Sequence, residues 1–341
     1  MRCCMRAVDL FCGCGGLTLG FMKAGFDIAA GFDFWDDAIE VYKKNFSHPV
    51  IKQDLANVAE SLDNIRDYSP EIIIGGPPCQ DFSSAGKRDE NNGRGGLTVS
   101  YATIVSAIRP EWFVMENVER IKKTQKLAEA VKIYKEAGYG LTCMVLDASL
   151  CGVPQKRKRF VMIGHLYSPD NALLPQLTKN LAKTSMTLAD YFGNALDVKY
   201  YYRHPRSYAR RGIFSVDEPS PTIRGVNRPM PEGYTIHPND PVQTKDGIRA
   251  LTTKERSLIQ TFPDDFVFFG SKTVQEQMIG NAVPVQLGKF IAEAINAYIK
   301  TSKMVTACPV NERCRLLPVR KYFLPYTLNV PLISFSENAD E

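Results

Sequence analysis

The chain of 341 residues has room for one large α/β domain of about 200 residues and a smaller module, each with its own core. A hydrophobic content of 44% and a charged content of 23% suit a soluble globular protein, and no stretch nears the roughly 20 uninterrupted apolar residues of a membrane span, which excludes a membrane protein. The net charge of +5 is modest, so its distribution matters more than its size.

In chain order, the apolar runs Ala7 to Phe11, Ile28 to Phe32 and Ile72 to Ile74 are bounded by turn residues. Segments of helical spacing such as Trp35 to Asn45 separate them. This alternation predicts β-α-β-α-β with parallel strands. Further strands are expected at Trp112 to Met115, Leu141 to Leu146 and Phe160 to Ile163, with a helix from about Leu127 to Ala137 that stops at Gly138. The first 164 residues therefore read as a doubly wound, Rossmann-like α/β sheet. After His165 recurrent prolines break up any long element and the alternation is lost. Helical signals return at Thr253 to Thr261 and at Val285 to Ile299, where Leu287, Phe290, Ile291, Ala294 and Ile295 share one face. The expected organisation is a catalytic and cofactor-binding domain from 1–164 plus 270–300, and a smaller, irregular module with its hinge at 165–269. The tail, 301–341, carries no assignable pattern.

Nine cysteines are scattered without CxxC pairs or clustered histidines, so we expect reduced core residues and no metal site. The amino-terminal apolar run leads straight into glycines without a secretory cleavage pattern, which predicts a cytoplasmic protein.

The strand from Ala7 runs into Gly13, Gly15, Gly16 and Gly20, and Asp33 ends the next strand. Glycines there let backbone approach a ligand, and an acid at that spacing bonds ribose hydroxyls. Thr18 stands where a strict dinucleotide fingerprint has its third glycine, so this predicts a nucleoside-bearing cofactor without choosing between NAD and S-adenosylmethionine. Farther on, Ile72 to Ile74 ends in Gly75-Gly76-Pro77-Pro78-Cys79-Gln80. Two prolines stiffen the turn and two glycines allow close approach to a thiol at the carboxyl edge of the sheet, where ligands of open α/β folds collect. A core cysteine needs neither device. From Ser83 to Leu97 the chain is rich in Gly, Ser, Asn, Lys and Arg, as a loop closing over a polyanion would be, with Ser83, Lys87 and Arg88 as its expected contacts. From Lys199 to Arg228, Arg203, Arg206, Arg210, Arg211, Arg224 and Arg228 alternate with tyrosines, the footprint of a nucleic-acid surface.

Asp9-Leu10-Phe11-x-Gly13-x-Gly15-Gly16, Gly76-Pro77-Pro78-Cys79-Gln80, Glu116-Asn117-Val118, Gln155-Lys156-Arg157-Lys158-Arg159 and Gly280-Asn281-Ala282-Val283-Pro284 follow one another at set spacing, with Glu255-Arg256 and Gln260-x-Phe262-Pro263 before the last. Together they resemble the ordered motifs of DNA cytosine C5-methyltransferases of the small bacterial restriction-modification type, over about 1–165 and 250–299. The resemblance implies S-adenosylmethionine as cofactor and duplex DNA as substrate, with the target cytosine flipped out of the helix. It makes Cys79 the nucleophile toward carbon 6 and Glu116 the group that bonds N3 and the exocyclic amine. Arg159, with Arg157 beside it, would hold the O2 carbonyl. It also implies that Phe11 and Phe34 flank the adenine, Asp33 takes the ribose hydroxyls and Asp54 accepts from the adenine amine. Leu55, Pro78, Leu97, Asn281 and Val283 would line the rest of the pocket, with Gly13, Gly15 and Gly16 in the cofactor loop. Trp35, next to Phe34, competes for the second stacking position. A monomer is expected, with any cognate restriction endonuclease acting separately.

A tRNA cytosine methyltransferase shares this catalytic domain, but its usual Cys-Phe-Thr signature is missing between 165 and 250. An NAD-dependent dehydrogenase would explain the glycine loop and leave the other motifs without work. A non-catalytic DNA-binding relative would have lost Cys79, Glu116 or Arg159. Sequence preference is expected in 165–249, where Ser220 to Arg228 resembles a recognition segment. There Arg224 or Arg228 would read guanine, while Arg203, Arg206, Arg210 and Arg211 mostly hold phosphates, against the plainer alternative that all of them hold phosphates.

Overall fold

The computed structural model describes residues 4–78, 96–207 and 209–307. The chain begins β1 (Arg6–Leu10), α1 (Gly16–Lys23), β2 (Asp27–Asp33), α2 (Asp36–Asn45), β3 (Val50–Lys52), α3 (Val58–Arg66) and β4 (Ile72–Gly75). It continues with α4 (Leu97–Ile108), β5 (Trp112–Val118), α5 (Gln125–Glu136), β6 (Tyr139–Asp147), β7 (Gln155–Lys156) and β8 (Lys158–Leu166). The large sheet has the order β3-β2-β1-β4-β5-β8-β6. From β3 to β5 neighbours pair in parallel, and each strand connects to the next in sequence through a helix, as the sequence alternation predicts. β8 inserts antiparallel between β5 and β6, because no α-helix lies between β6 and β8 to carry the chain back for a parallel pairing. β3, α3 and α4 were not singled out from the sequence. β3 is three residues long and α3 buries only Ser61 and Ile65, so neither carries a strong periodic signal.

Strand periodicity decides which side chain goes to which face. Ala7, Ile72, Ile74, Trp112 and Val114 enter one core with Phe21 of α1, while Val8, Leu10, Ile73, Phe113 and Met115 enter the other with residues of α3, α4 and α5. Both faces are covered, so the strands read as continuous apolar runs. Burying each large side chain contributes roughly 1.5–3 kcal/mol. Tyr101 of α4 adds a polar clasp, its hydroxyl donating to the Val114 carbonyl at 2.7 Å.

Beyond β8 the elements shorten: α6 (Leu174–Lys179), α7 (Leu188–Phe192), β9 (Tyr200–Tyr202), β10 (Ile213–Ser215), β11 (Ser220–Pro221) and β12 (Arg249–Ala250). Pro221, which supplies no backbone donor, lies within β11 itself. β10, β9 and β12 form a small sheet, and β11 pairs with β7. Then follow α8 (Thr253–Ile259), opened by a Thr252 and Glu255 capping box, α9 (Lys272–Asn281) and α10 (Val285–Ala307). Leu287, Phe290, Ile291, Ala294 and Ile295 of α10 all join the core beneath Ala7, Ile72 and Trp112. Residues up to Lys300 make one compact unit; the second unit, Thr301–Glu341, is described only to Ala307. Among the described residues no helix is long and apolar enough to cross a membrane, and no cluster of potential metal ligands occurs.

Candidate active site

The carboxyl ends of β1, β2, β4 and β5 lie side by side, with Leu10 opposite Phe32 and Gly75, and Gly75 opposite Met115. Candidate site residues lie at these ends or in the turns that leave them. After β1 the chain turns through Phe11, Gly13 and Gly15 at positive φ into α1. Asp33 shapes this turn: its Oδ2 accepts from the Gly13 amide at 2.7 Å, and its Oδ1 from the amides of Phe34 and Trp35 at 2.8 and 2.9 Å. Burial pushes the Asp33 carboxyl up, and these three donors oppose that shift. Gly16 packs so closely on the 280–284 turn that a Cβ would collide with the Val283 carbonyl. That contact brings Val283 to the glycine loop.

Phe34 and Trp35 divide their roles. Phe34 is 62% exposed, whereas Trp35 is half-buried, packs inward with Phe46 and Phe262, and donates its ring nitrogen to Asp37 at 3.0 Å. Phe34 is the ring open to a ligand. Phe11 is half-buried and Leu55 buried; Asp54 is exposed, with Oδ1 accepting from the Ala56 amide at 3.0 Å. Pro78 and Leu97 are half-buried and Asn281 is exposed.

On the catalytic side, Glu116 lies one residue past the level of Gly75 on β5, 7% exposed. Arg159 stands diagonally across on β8, because Val118 faces Arg159 and Glu116 faces Val161. Its Nε is 2.8 Å from Glu116 Oε1, and both side chains are nearly buried. Burial lowers the Arg159 guanidinium, and Glu116 holds it up. A Cβ on Gly76 would sit 3.3 Å from Glu116 Oε2, so the carboxylate lies against the turn that leads to Cys79. Asn117 pins that turn by donating to the Pro77 carbonyl at 2.8 Å. Cys79 itself, with Ser83, Lys87 and Arg88, lies outside the described residues. Among the described cysteines, burial pushes Cys14 and Cys151 up to about 12 and Cys143 to about 11, and raises Cys12 well above its ordinary value. None of these four is poised as a thiolate.

Arg157 lies within reach of the charges of Arg159 and Glu116, but its hydrogen bonds go elsewhere. Expected beside Arg159 at the cytosine carbonyl, it is instead 2% exposed and donates to the backbone carbonyls of Ile223, Gly280 and Ala282 at 3.2, 3.2 and 3.0 Å. The geometry corrects its place: a fully buried guanidinium needs acceptors on every side, and three carbonyls from two distant segments converge there.

The basic stretch also divides. Arg206, Arg210 and Arg228 are exposed. Arg211 instead pairs with Glu218 and lies over the Phe214 ring, Arg203 donates to the Thr222 carbonyl at 2.9 Å, and Arg224 donates to the His204 carbonyl. Two further groups carry no role in the sequence reading. Arg256 and Glu276 form a buried ion pair, with Arg256 also donating to the Arg224 carbonyl, and Gln155 and Gln260 meet as buried amides. All four lie in or near the motif blocks, which was the available signal; their partners lie far away in sequence.

A family model, C-5 cytosine-specific DNA methylase, matches residues 5–297. The chain is 60% identical over 292 residues to Type II methyltransferase M.HindV of Haemophilus influenzae, covering 85% of this chain and 96% of that one. It is 56% identical over 300 residues to Type II methyltransferase M.HgiDI of Herpetosiphon aurantiacus, covering 88% and 97%. Among solved structures, the Entamoeba histolytica methyltransferase EhMeth superposes with a TM-score of 0.66 at 17% identity, covering 87% of this chain and 99% of that one. A putative DNA modification methyltransferase encoded within an Escherichia coli prophage gives 0.64 at 21%, with the same coverage. Those two likenesses show the Rossmann-like α/β fold. The match over nearly the whole motif-bearing region shows the family: the chain belongs to the C-5 cytosine-specific DNA methylases and is a DNA cytosine-5-methyltransferase.

Proposed function

We propose that the protein transfers a methyl group from S-adenosylmethionine to carbon 5 of a cytosine flipped out of a short, specific duplex sequence, through a covalent bond between Cys79 and carbon 6. The observation that carries this reading is the Arg159 and Glu116 pair held against Gly76, one short turn before Cys79. Carbon 5 of cytosine is a poor nucleophile until addition at carbon 6 turns the ring into an enamine. The Cys79 thiolate forms the C6–S bond, and the ring electrons move toward N3. Glu116 donates a hydrogen bond and proton at N3, while Arg159 holds O2 and stabilises the developing charge. S-Adenosylmethionine, when bound, supplies the electrophilic methyl group. Loss of the carbon 5 proton to a base then expels the thiolate, and return of the N3 proton to Glu116 leaves the neutral aromatic ring and resets the acid.

The cofactor cradle fits that ligand. Gly13, Gly15 and Gly16 leave the loop without side chains, Asp33 offers a carboxylate at its rim, and Phe34 presents an open ring face for adenine opposite Phe11. Asp54, Leu55, Pro78, Leu97, Asn281 and Val283 complete the lining in this reading. Arg157 becomes a structural clamp rather than a catalytic group. The 165–269 segment serves as target-recognition module, with Arg228 or Arg224 reading guanine. The enzyme acts as a monomer in a restriction-modification system, in the bacterial cytosol, beside a separate endonuclease. A tritiated-methyl transfer assay with duplex DNA, with tRNA and without substrate tests the class: label is expected in DNA alone. Duplex carrying 5-fluorocytosine at the target tests the chemistry, because fluorine cannot leave as a proton. A denaturant-stable protein–DNA adduct is expected, and it should vanish in Cys79→Ser; its absence from the native enzyme would rule out the covalent route.

A further inference from the structure

Two fully buried glutamines form a continuous hydrogen-bonded relay across the molecule. The Ile223 amide donates to Gln155 Oε1 at 2.8 Å. Gln155 Nε2 donates to Gln260 Oε1 at 2.8 Å, and Gln260 Nε2 donates to the carbonyls of Ile279 and Ala282 at 2.5 and 3.1 Å. Both glutamines are 0% exposed, so every amide position is specified and no water stands in for a lost partner. Arg157 runs alongside, from the Ile223 carbonyl to those of Gly280 and Ala282. One end of this joint is the segment that carries Arg224 and Arg228. The other is the 280–284 turn, whose Val283 carbonyl packs on Gly16 of the cofactor loop. The two ends also touch directly, since a Cβ on Gly280 would collide with the Gly225 amide and the Arg224 backbone.

We propose that Gln155 and Gln260 are positioning residues for target recognition, holding the base-reading segment in register with the cofactor turn. The inference rests on the reading of 220–228 as the segment that contacts bases. A glutamine suits the task because it donates and accepts at once. Gln155 is the only link of the relay that can be cut without touching the cofactor turn, whereas Gln260 bonds the turn itself.

The relay separates two effects in steady-state kinetics. Gln155→Glu keeps the acceptor for Ile223 and loses the donor to Gln260, so it is expected to lower kcat/KM on cognate DNA about ten-fold, mainly through KM for DNA. Discrimination against sites with one wrong base pair should relax, while KM for S-adenosylmethionine stays within two-fold. Gln260→Glu should disturb both substrates. Gln155→Met, similar in shape and apolar, gives a second variant should the glutamate misfold; thermal unfolding and near-ultraviolet circular dichroism report folding. A purely structural role would lower the unfolding temperature and leave the discrimination ratio untouched, and that result in a folded variant overturns the proposal. Arg224→Ala and Arg228→Ala run in parallel. If neither changes discrimination, the reading of 220–228 fails and the proposal with it; if they change it and the glutamine variants do not, the relay alone is wrong.

Discussion

Asp9 shows at single-residue scale how a motif position can be both costly and useful. It is 0% exposed; Thr18 donates to its Oδ2 at 2.6 Å, while Oδ1 has no hydrogen-bond partner among the described residues. Burial first, then the nearby Asp33 charge, pushes its carboxyl up to about 7, with Thr18 opposing. A folded value above the unfolded one means that the contribution of Asp9 to stability is fully present below about pH 4 and is lost as pH rises through 7, by something on the order of 4 kcal/mol. Asp9→Asn removes the charge. Its thermal midpoint relative to wild type should therefore rise from pH 5 to about pH 7 and level off above that. Parallel pH curves for the two would show that Asp9 does not titrate there. In the proposed mechanism Glu116 is the proton donor. Glu116→Gln keeps the shape and removes the transferable proton, so single-turnover methylation should slow by about 10²–10⁴ with cofactor affinity unchanged. A rate within a few-fold of wild type would remove Glu116 as the acid.

Among the elements, the segment around β10 and β11 separates arginines with exposed side chains from those already engaged within the chain. Arg206, with its exposed side chain, is expected to hold a phosphate, so Arg206→Ala should reduce the slope of log K against log salt by about 0.9. Arg211 is held by Glu218 and by the Phe214 ring, so Arg211→Ala should cost stability and leave the slope alone. Equal slopes for both variants would count against this division. From composition the two arginines were indistinguishable. Exposure depends on how β9 and β10 pair, and a run of basic residues does not reveal which of them have an acid within reach.

For the molecule as a whole, the strands and helices that build the site were legible because their signals are local. Short apolar runs bounded by turn residues and a helix closed before Gly138 each report on neighbours a few residues away. The cofactor loop, the turn before Cys79 and the order of the motifs were legible for the same reason, and they sufficed to point to the family that the comparisons then showed. The tertiary structure decided what those local signals leave open. It set β8 antiparallel in the sheet, which brings Arg159 diagonally onto Glu116. It turned Phe34 outward and Trp35 inward, although they are adjacent. It also gave Arg157 and Arg159 different partners, the carbonyls of Ile223, Gly280 and Ala282 for one and the Glu116 carboxylate for the other. Bonds such as Gln155 to Gln260 and Arg157 to Ala282 join residues 105 and 125 positions apart. A sequence specifies such donors and acceptors as residue types, but only chain packing decides which of them meet, because each must lose its water and find a partner in the place the fold provides.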